Sequence, residues 1–298
     1  MRMLLLVLLL GLAPSQAQAQ SGTRVVMLGT GTPNADPERS GPAVAVVVNG
    51  TAYLVDAGPG VMRRAAAAAT RHSLPALAAR NIGIVFLTHL HSDHTVGLPD
   101  VMHTSWVAER IAPLKVFGPA GTARMVEHLQ AAWSEDIVIR TTGRQPHTDE
   151  GWKVSVTDVT AGVVYQDSNV VVRAFRVPHP EWEYSYGYRF ETADRTVVIS
   201  GDTGPSDAVV AACNGCDVLV HEVYSAKGFL TRTPDWQAYH IVAHTSTTDL
   251  ADLAARARPG LLVLYHQLYW GDDDAGLLAE MAARYSGRTV SARDLDIF

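Results

Sequence analysis

Four side chains able to ligate a metal, His89, His91, Asp93 and His94, fall within six consecutive positions. They follow directly on the apolar run 82–87, rich in β-branched residues, so the pattern predicts a polar loop at the carboxyl end of a strand. A helix would spread these side chains around its circumference. A tight loop lets His89 and His91 reach one point and Asp93 and His94 another. Imidazole with carboxylate suits zinc or a neighbouring first-row metal, and two adjacent metals make a hydrolytic centre. The competing reading is a set of loop histidines beside a core strand, against which four ligand-type residues at this spacing argue.

One loop cannot supply a dinuclear site, so further ligands are expected at other strand ends. His179 follows the β run that includes Phe175, Asp202 follows Val197-Val198-Ile199, and His266 ends the apolar run 261–264. Each has an ordinary alternative, a capped turn or a strand-end histidine, yet together they form a coherent set. Asp56 stands at a strand tip before a glycine turn and is read as bracing the metal loop by hydrogen bonding rather than ligating. Glu222 closes the strand 217–220 with His221, and His244 opens a helix near Thr247. An imidazole oriented by a carboxylate is what a general acid requires. His240 lies nearby as a surface residue or pocket wall. His103 and Trp106, on the helix from about Thr95, could line a pocket, with partial burial on a helix face the favoured reading for His103; His72, His128 and His147 have no supporting pattern.

The elements that must position these residues alternate strand and helix. A strand over 24–28 runs into the glycine turn Gly29-Thr30-Gly31-Thr32-Pro33, where Pro33 and the lack of a following helix argue against a dinucleotide loop. Residues 34–42 read as a loop lying over a site. The runs 43–48 and 51–55 flank Asn49-Gly50, a strong hairpin signal. Helices are expected over 61–72 (extended or repeated by 74–80), over 123–133, and from about Thr95, turning Val96, Leu98, Val101, Met102 and Val107 inward. Residues 134–150 read as polar and irregular. The β runs 152–156, 169–177, 186–191 and 195–199 read as a second sheet.

At 298 residues the chain can bury a large core. Its formal net charge is −6 with 18% charged residues. With no basic block or stripe, this argues against nucleic acid as a partner. Arg2, the apolar stretch 3–12 and Ala17-Gln18-Ala19 predict a removable signal peptide over 1–19, leaving 20–298 as one exported domain, periplasmic or secreted, with no stable membrane anchor. The two cysteines, Cys213 and Cys216, read equally as a small disulfide or as buried apolar residues. Homo-oligomerisation stays open.

The set of motifs resembles the metallo-β-lactamase fold superfamily, and within it the ribonuclease Z-like and arylsulfatase-like branch. The resemblance spans nearly the whole chain after the leader. It is carried by the Gly29–Pro33 turn, Asp56-Ala57-Gly58-Pro59-Gly60, His89-Leu90-His91-Ser92-Asp93-His94, His179 with Gly187-Tyr188-Arg189-Phe190, Ser200-Gly201-Asp202-Thr203, His221-Glu222, His244-Thr245-Ser246 and His266. It implies an α/β fold of the four-layer αβ/βα sandwich type. It also implies two divalent metal ions, zinc by default with manganese or iron as alternatives. His89, His91 and His179 resemble the ligands of one metal, Asp93, His94 and His266 those of the other, with Asp202 bridging. A metal-bridging hydroxide would be the nucleophile, with Asp93 orienting it. His244, steadied by Glu222, would protonate the leaving oxygen. Ribonuclease Z enzymes often carry a basic, glycine-rich arm, and the stretch between Gly118 and His179 offers no candidate for one. With the leader and the acidic charge, that turns the expectation to an exported hydrolase of small phosphate or sulfate esters. The alternatives are a ribonuclease Z-type phosphodiesterase on RNA, a lactonase or β-lactamase-type hydrolase, an iron-dependent oxidoreductase on the same fold, and a non-catalytic binding protein.

Overall fold

The structure, a computed structural model, describes residues 22–298, so the leader predicted over 1–19 lies outside the described residues. The first sheet is ordered β1-β2-β3-β4-β5-β6. Its strands are β1 (Thr23–Gly29), β2 (Ala43–Val48), β3 (Thr51–Val55), β4 (Ile84–Phe86), β5 (Leu114–Gly118) and β6 (Val154–Asp158). The first three are antiparallel and the rest join in parallel. Asn49 and Gly50 both take positive φ, 48° and 83°, as a two-residue hairpin between right-twisted strands requires.

The second sheet is ordered β13-β12-β11-β10-β9-β8-β7. It comprises β7 (Gly162–Gln166), β8 (Val170–Arg176), β9 (Tyr186–Thr192), β10 (Thr196–Ile199), β11 (Val218–Tyr224), β12 (Leu261–Leu268) and β13 (Thr289–Ser291). From β10 onward these strands are parallel.

Three apolar layers hold the sheets. Along β1 the side chains alternate, Val25 and Met27 facing the other sheet while Val26 and Leu28 face helices. The outer layer of the first sheet packs on α1 (Val61–Arg71), α3 (Leu98–Val107) and α4 (Thr122–Ala132). That of the second packs on α6 (Asp207–Cys213), α9 (Thr247–Ala257) and α10 (Asp274–Ala282). The short α2 (Ser92–Thr95), α5 (Ser134–Thr142), α7 (Ala226–Phe229) and α8 (Pro234–Ala243) complete the helices. Strands buried on both faces read as continuous apolar runs, and the result is the four-layer αβ/βα sandwich. Between the sheets Phe86 meets Phe190 edge-on at 5.6 Å and Tyr188 at 5.4 Å.

Several expectations need correction. The run 152–156 belongs to the first sheet, where β6 pairs in parallel with β5 after an α4–α5 crossover, the connection that parallel pairing demands. Residues 134–142, read as irregular, form α5, steadied by the Arg140–Asp136 pair at 2.8 Å and by buried Ile137. In and before α3, Leu98, Val101 and Met102 point inward, but Val96 is 57% and Val107 45% exposed. Val96 precedes the helix and lines a cavity beside Ser92 and Asp93, while Val107 lies on the last turn. Residues 74–80 form two 3₁₀ turns rather than a longer helix. Cys213 and Cys216 are joined as a disulfide, with Cα atoms 4.7 Å apart, at the end of α6.

Candidate metal centre

β4 leads straight into the loop carrying the cluster. Asp56, at φ 63°, ends β3 beside it. Its carboxylate accepts from the Thr88 backbone N–H at 2.8 Å and the Thr88 hydroxyl at 2.9 Å. Having spent its proton on Asp56, the Thr88 hydroxyl accepts from His89 Nδ1 at 3.0 Å. His94 Nδ1 donates to Asp56 Oδ2 at 2.8 Å, and His179 Nδ1 donates to the Ala243 carbonyl at 2.9 Å. These bonds orient three rings, committing each Nδ1 to the protein and turning each Nε2 toward the cleft. His91 is turned the other way. Its Nδ1 faces His89 Nε2 at 2.9 Å and His179 Nε2 at 3.3 Å, while Nε2 accepts from the Trp182 indole at 2.7 Å.

The second group forms around His266, which sits in a β-bulge. Glu222 pairs with Tyr265 and Val223 with Gln267, so His266 is the extra residue of β12. At φ 46° it turns its ring out of the ladder and into the cleft. Its Nε2 lies 3.2 Å from Asp93 Oδ2 and 3.5 Å from Asp202 Oδ2. His94 Nε2 lies 3.5 Å from Asp93 Oδ2 and 3.3 Å from Asp202 Oδ1. Asp202 also reaches the first group, with Oδ2 3.9 Å from His89 Nε2.

The ligand-type atoms therefore gather as His89, His91, His179 and Asp202 on one side and Asp93, His94 and His266 on the other. All seven side chains expected from the sequence converge. His94 Nε2 and Asp202 Oδ1 are buried without a hydrogen-bond partner among the described residues. Buried, unpartnered polar atoms of this kind, an imidazole nitrogen facing a carboxylate oxygen at 3.3 Å, fit a divalent cation. The His/Asp clusters are able to bind metal.

Charge at the site follows from the same crowding. Burial disfavours the charged form of His94, yet the carboxylates of Asp202, Asp56 and Asp93 outweigh it and hold the ring well above its ordinary pKa. Burial likewise opposes the Asp202 carboxylate, but His266, His94 and His89 keep it well below the usual range. His244 caps the end of α8 with its Nδ1 3.3 Å from Glu222 Oε2 and 4.0 Å from Asp202 Oδ2. Burial pushes His244 down to about 4. Glu222 is raised well above a normal carboxylate by burial and by the charge of Asp202, while Thr245 N–H (2.9 Å) and Thr203 N–H (3.3 Å) hold its Oε1.

The cluster opens into a cavity of ≈ 660 Å³. Pro33 and Asn34 form one wall, as the loop reading of 34–42 anticipated, and Trp236, Tyr239, His240 and Trp270 form another. Apart from His240, already read as a surface residue or pocket wall, this aromatic wall escaped the sequence reading because its residues come from α8 and from the turn after β12, with no shared spacing. His103 stays away, packed on Trp133 at 5.2 Å. His221 is buried in β11 with Nδ1 on the Glu222 carbonyl at 2.6 Å.

Asp56 offers a direct test. Asp56→Ala removes the group that orients His94 and anchors Thr88, so metal affinity is expected to fall about 10- to 100-fold. Asp56→Asn, which keeps one acceptor oxygen, should fall less. Competition with a chromogenic chelator measures both, and wild-type affinity in the alanine variant would remove Asp56 from this role.

Residues 51–267 match the β-lactamase superfamily domain. Ribonuclease Z of Mycobacterium bovis (strain BCG / Pasteur 1173P2) is 36% identical over 277 residues, covering 91% of this chain and 96% of that protein. The chain belongs to this superfamily and to its ribonuclease Z family. Ribonuclease Z of Mycobacterium tuberculosis (strain ATCC 25177 / H37Ra) shares 34% identity over 277 residues, 91% of this chain and 96% of that one. Among solved structures, the human tRNase Z short form superposes with a TM-score of 0.68 at 23% identity, covering 92% of this chain and 98% of that one. A metallo-β-lactamase-fold protein of Bacillus subtilis gives 0.69 at 16%, covering 93% and 98%. These likenesses show the fold.

This member of the ribonuclease Z family is a metallo-β-lactamase-fold hydrolase. Membership overturns the reading of net charge as an argument against nucleic acid, because relatives sharing 36% of aligned residues are named for action on RNA. The physical reason is that net charge sums the whole chain, whereas a substrate meets a local surface. The fold sets Arg232 on the lining of the metal cavity.

Proposed function

We propose that the protein is a metal-dependent phosphodiesterase of ribonuclease Z type that cleaves a phosphodiester bond of RNA. The observation carrying this reading is Asp202, one carboxylate within 3.3 to 3.9 Å of imidazoles from both ligand groups. His89, His91 and His179 would hold one ion and Asp93, His94 and His266 the other, with Asp202 shared. Two divalent ions, zinc first among candidates, supply when bound an acidified water and positive charge opposite the developing oxyanion.

The protein's own groups do the rest. Asp93 Oδ2, on the cavity wall, is placed to accept a proton and orient the attacking water. His244 stands across the cleft to give a proton to the leaving oxygen, with Glu222 Oε2 3.3 Å from its Nδ1. Burial holds the ring's pKa low in the free protein, and an anionic diester beside it would favour the charged form. Trp236, Tyr239 and Trp270 wall the cavity beside the reacting centre.

A second reading, hydrolysis of small phosphate or sulfate esters, draws support from a cavity of ≈ 660 Å³, the size of a small-molecule site. One panel separates the two. Protein spanning 20–298, with zinc and manganese content measured on the same sample, is assayed on a short oligoribonucleotide, its DNA counterpart, bis-p-nitrophenyl phosphate, p-nitrophenyl sulfate and a lactone. RNA turnover with two metals per chain is expected. Metal-loaded protein that cleaves the sulfate or lactone but no phosphodiester would overturn the proposal. Export over a leader of 1–19 belongs to the same reading, and mature protein recovered from cells should begin at Gln20.

A further inference from the structure

Arg232 stands in the turn between α7 and α8, at the boundary of two cavities. It lines both the ≈ 660 Å³ metal cavity and an adjoining chamber of ≈ 330 Å³. Its backbone is pinned on both sides: its N–H donates to the Phe229 carbonyl at 3.0 Å, and its carbonyl accepts from Gln237 Nε2 at 3.0 Å. The guanidinium carbon lies 5.5 Å from the ring centre of Trp270 and 5.7 Å from that of Trp236, so two indoles hold the cation in place.

What sets Arg232 apart is spare bonding capacity. Its Nε is buried without a hydrogen-bond partner, and no carboxylate among the described residues pairs with it within the 4.0 Å of an ion pair. Asp235 shares the rim of the cavity without reaching it. The other cation of the adjoining chamber, Arg39, has both terminal nitrogens engaged. It donates to Thr30 Oγ1, Gln267 Oε1 and the Ala292 carbonyl and pairs with Asp274 at 3.2 Å. A fixed guanidinium with unused donors matches the oxygens of a phosphate. Beside it Trp236 keeps 49% of its surface exposed, an apolar platform of the kind on which a nucleobase stacks.

Resting on the phosphodiesterase reading above, we propose that Arg232, clamped between Trp236 and Trp270, binds the phosphate adjacent to the scissile one, and that Trp236 packs against the base of that nucleotide. The subsite selects a substrate with at least two consecutive phosphates over an isolated diester.

The test compares the metal-loaded wild type, Arg232→Ala, Arg232→Lys and Trp236→Ala on the trinucleotide UpUpU and on bis-p-nitrophenyl phosphate, which has no second phosphate. Arg232→Ala should raise KM for UpUpU roughly tenfold or more, well beyond its effect on the small diester, with kcat changed far less. Arg232→Lys should recover part of the loss, keeping the charge without the fork. Trp236→Ala should raise KM for UpUpU with bound metal unchanged. Equal effects of Arg232→Ala on both substrates, or none on either, would overturn the subsite. If the wild type cleaves neither substrate, the phosphodiesterase reading fails by itself, and quenching of tryptophan fluorescence by UpUpU then decides. Quenching that Arg232→Ala abolishes sustains the subsite, and identical titrations in both proteins refute it.

Discussion

Asp202→Ala is expected to lower turnover by about a thousandfold or more and to strip the protein of bound metal. The reason is positional. Among the described residues, Asp202 is the one carboxylate within 4 Å of His89, His94 and His266 together. Removing it takes the shared ligand from both groups and leaves several buried imidazoles without their main counter-charge. Asp202→Asn keeps the shape and loses the charge, so it should retain some metal but little activity. Metal content by mass spectrometry, measured beside kcat, reads both effects. Unchanged activity and stoichiometry in the alanine variant would sink the whole assignment of the centre.

The second large effect belongs to His244. Replacement by alanine should cost about 10²- to 10⁴-fold in kcat on a ribose leaving group. The loss should be far smaller on bis-p-nitrophenyl phosphate, whose leaving phenolate needs no proton. Metal content discriminates between two roles, because His244 also falls within ligand distance of Asp202 and His266. A general acid can be deleted with both metals retained, whereas a ligand cannot. The pH profile supplies a third readout. The free ring, pushed down to about 4 by burial, is neutral at pH 7, and an anionic substrate beside it favours the charged form. Wild-type turnover of RNA should therefore fall on the alkaline side as that proton is lost, and the limb should vanish in His244→Ala. A variant that loses metal together with activity would make His244 a ligand instead.

Much of the centre was legible because ligand-type residues at strand ends are informative in themselves. His89, His91, Asp93 and His94 advertise a loop by their spacing, and His179, Asp202 and His266 each follow an apolar β run. The role of Asp56 was also readable, since a carboxylate at a strand tip before Gly58 and Gly60 has few other uses. Gly58 shows why: a Cβ there would lie 2.6 Å from the Asp93 carbonyl oxygen, so only glycine lets the two loops pack. The bulge at His266 was not legible, because nothing in Leu-Tyr-His-Gln-Leu signals one extra residue against β11. Nor was the placement of β6, whose composition suits either sheet and whose partner is decided by the crossover. The orientation of His91 depends on Trp182, a tertiary neighbour that periodicity cannot name. Charge misled most, since a sum over the chain is blind to where Arg232 stands.

One bond pattern carries further than the site itself. The Tyr186 backbone N–H donates to the Thr88 carbonyl at 2.9 Å, and the Tyr188 hydroxyl to the Leu87 carbonyl at 2.7 Å. Both reach from β9 of the second sheet to the root of the metal loop on the first. Of the seven candidate ligands, His89, His91, Asp93 and His94 belong to the first half of the chain and His179, Asp202 and His266 to the second. The gap between the sheets thus acts as a caliper that sets ligand spacing. Ions bound across it become a clasp, adding to the work needed to peel the halves apart in proportion to how tightly they are held. A side chain wedged between Phe86 and Phe190 would be felt first as lost metal.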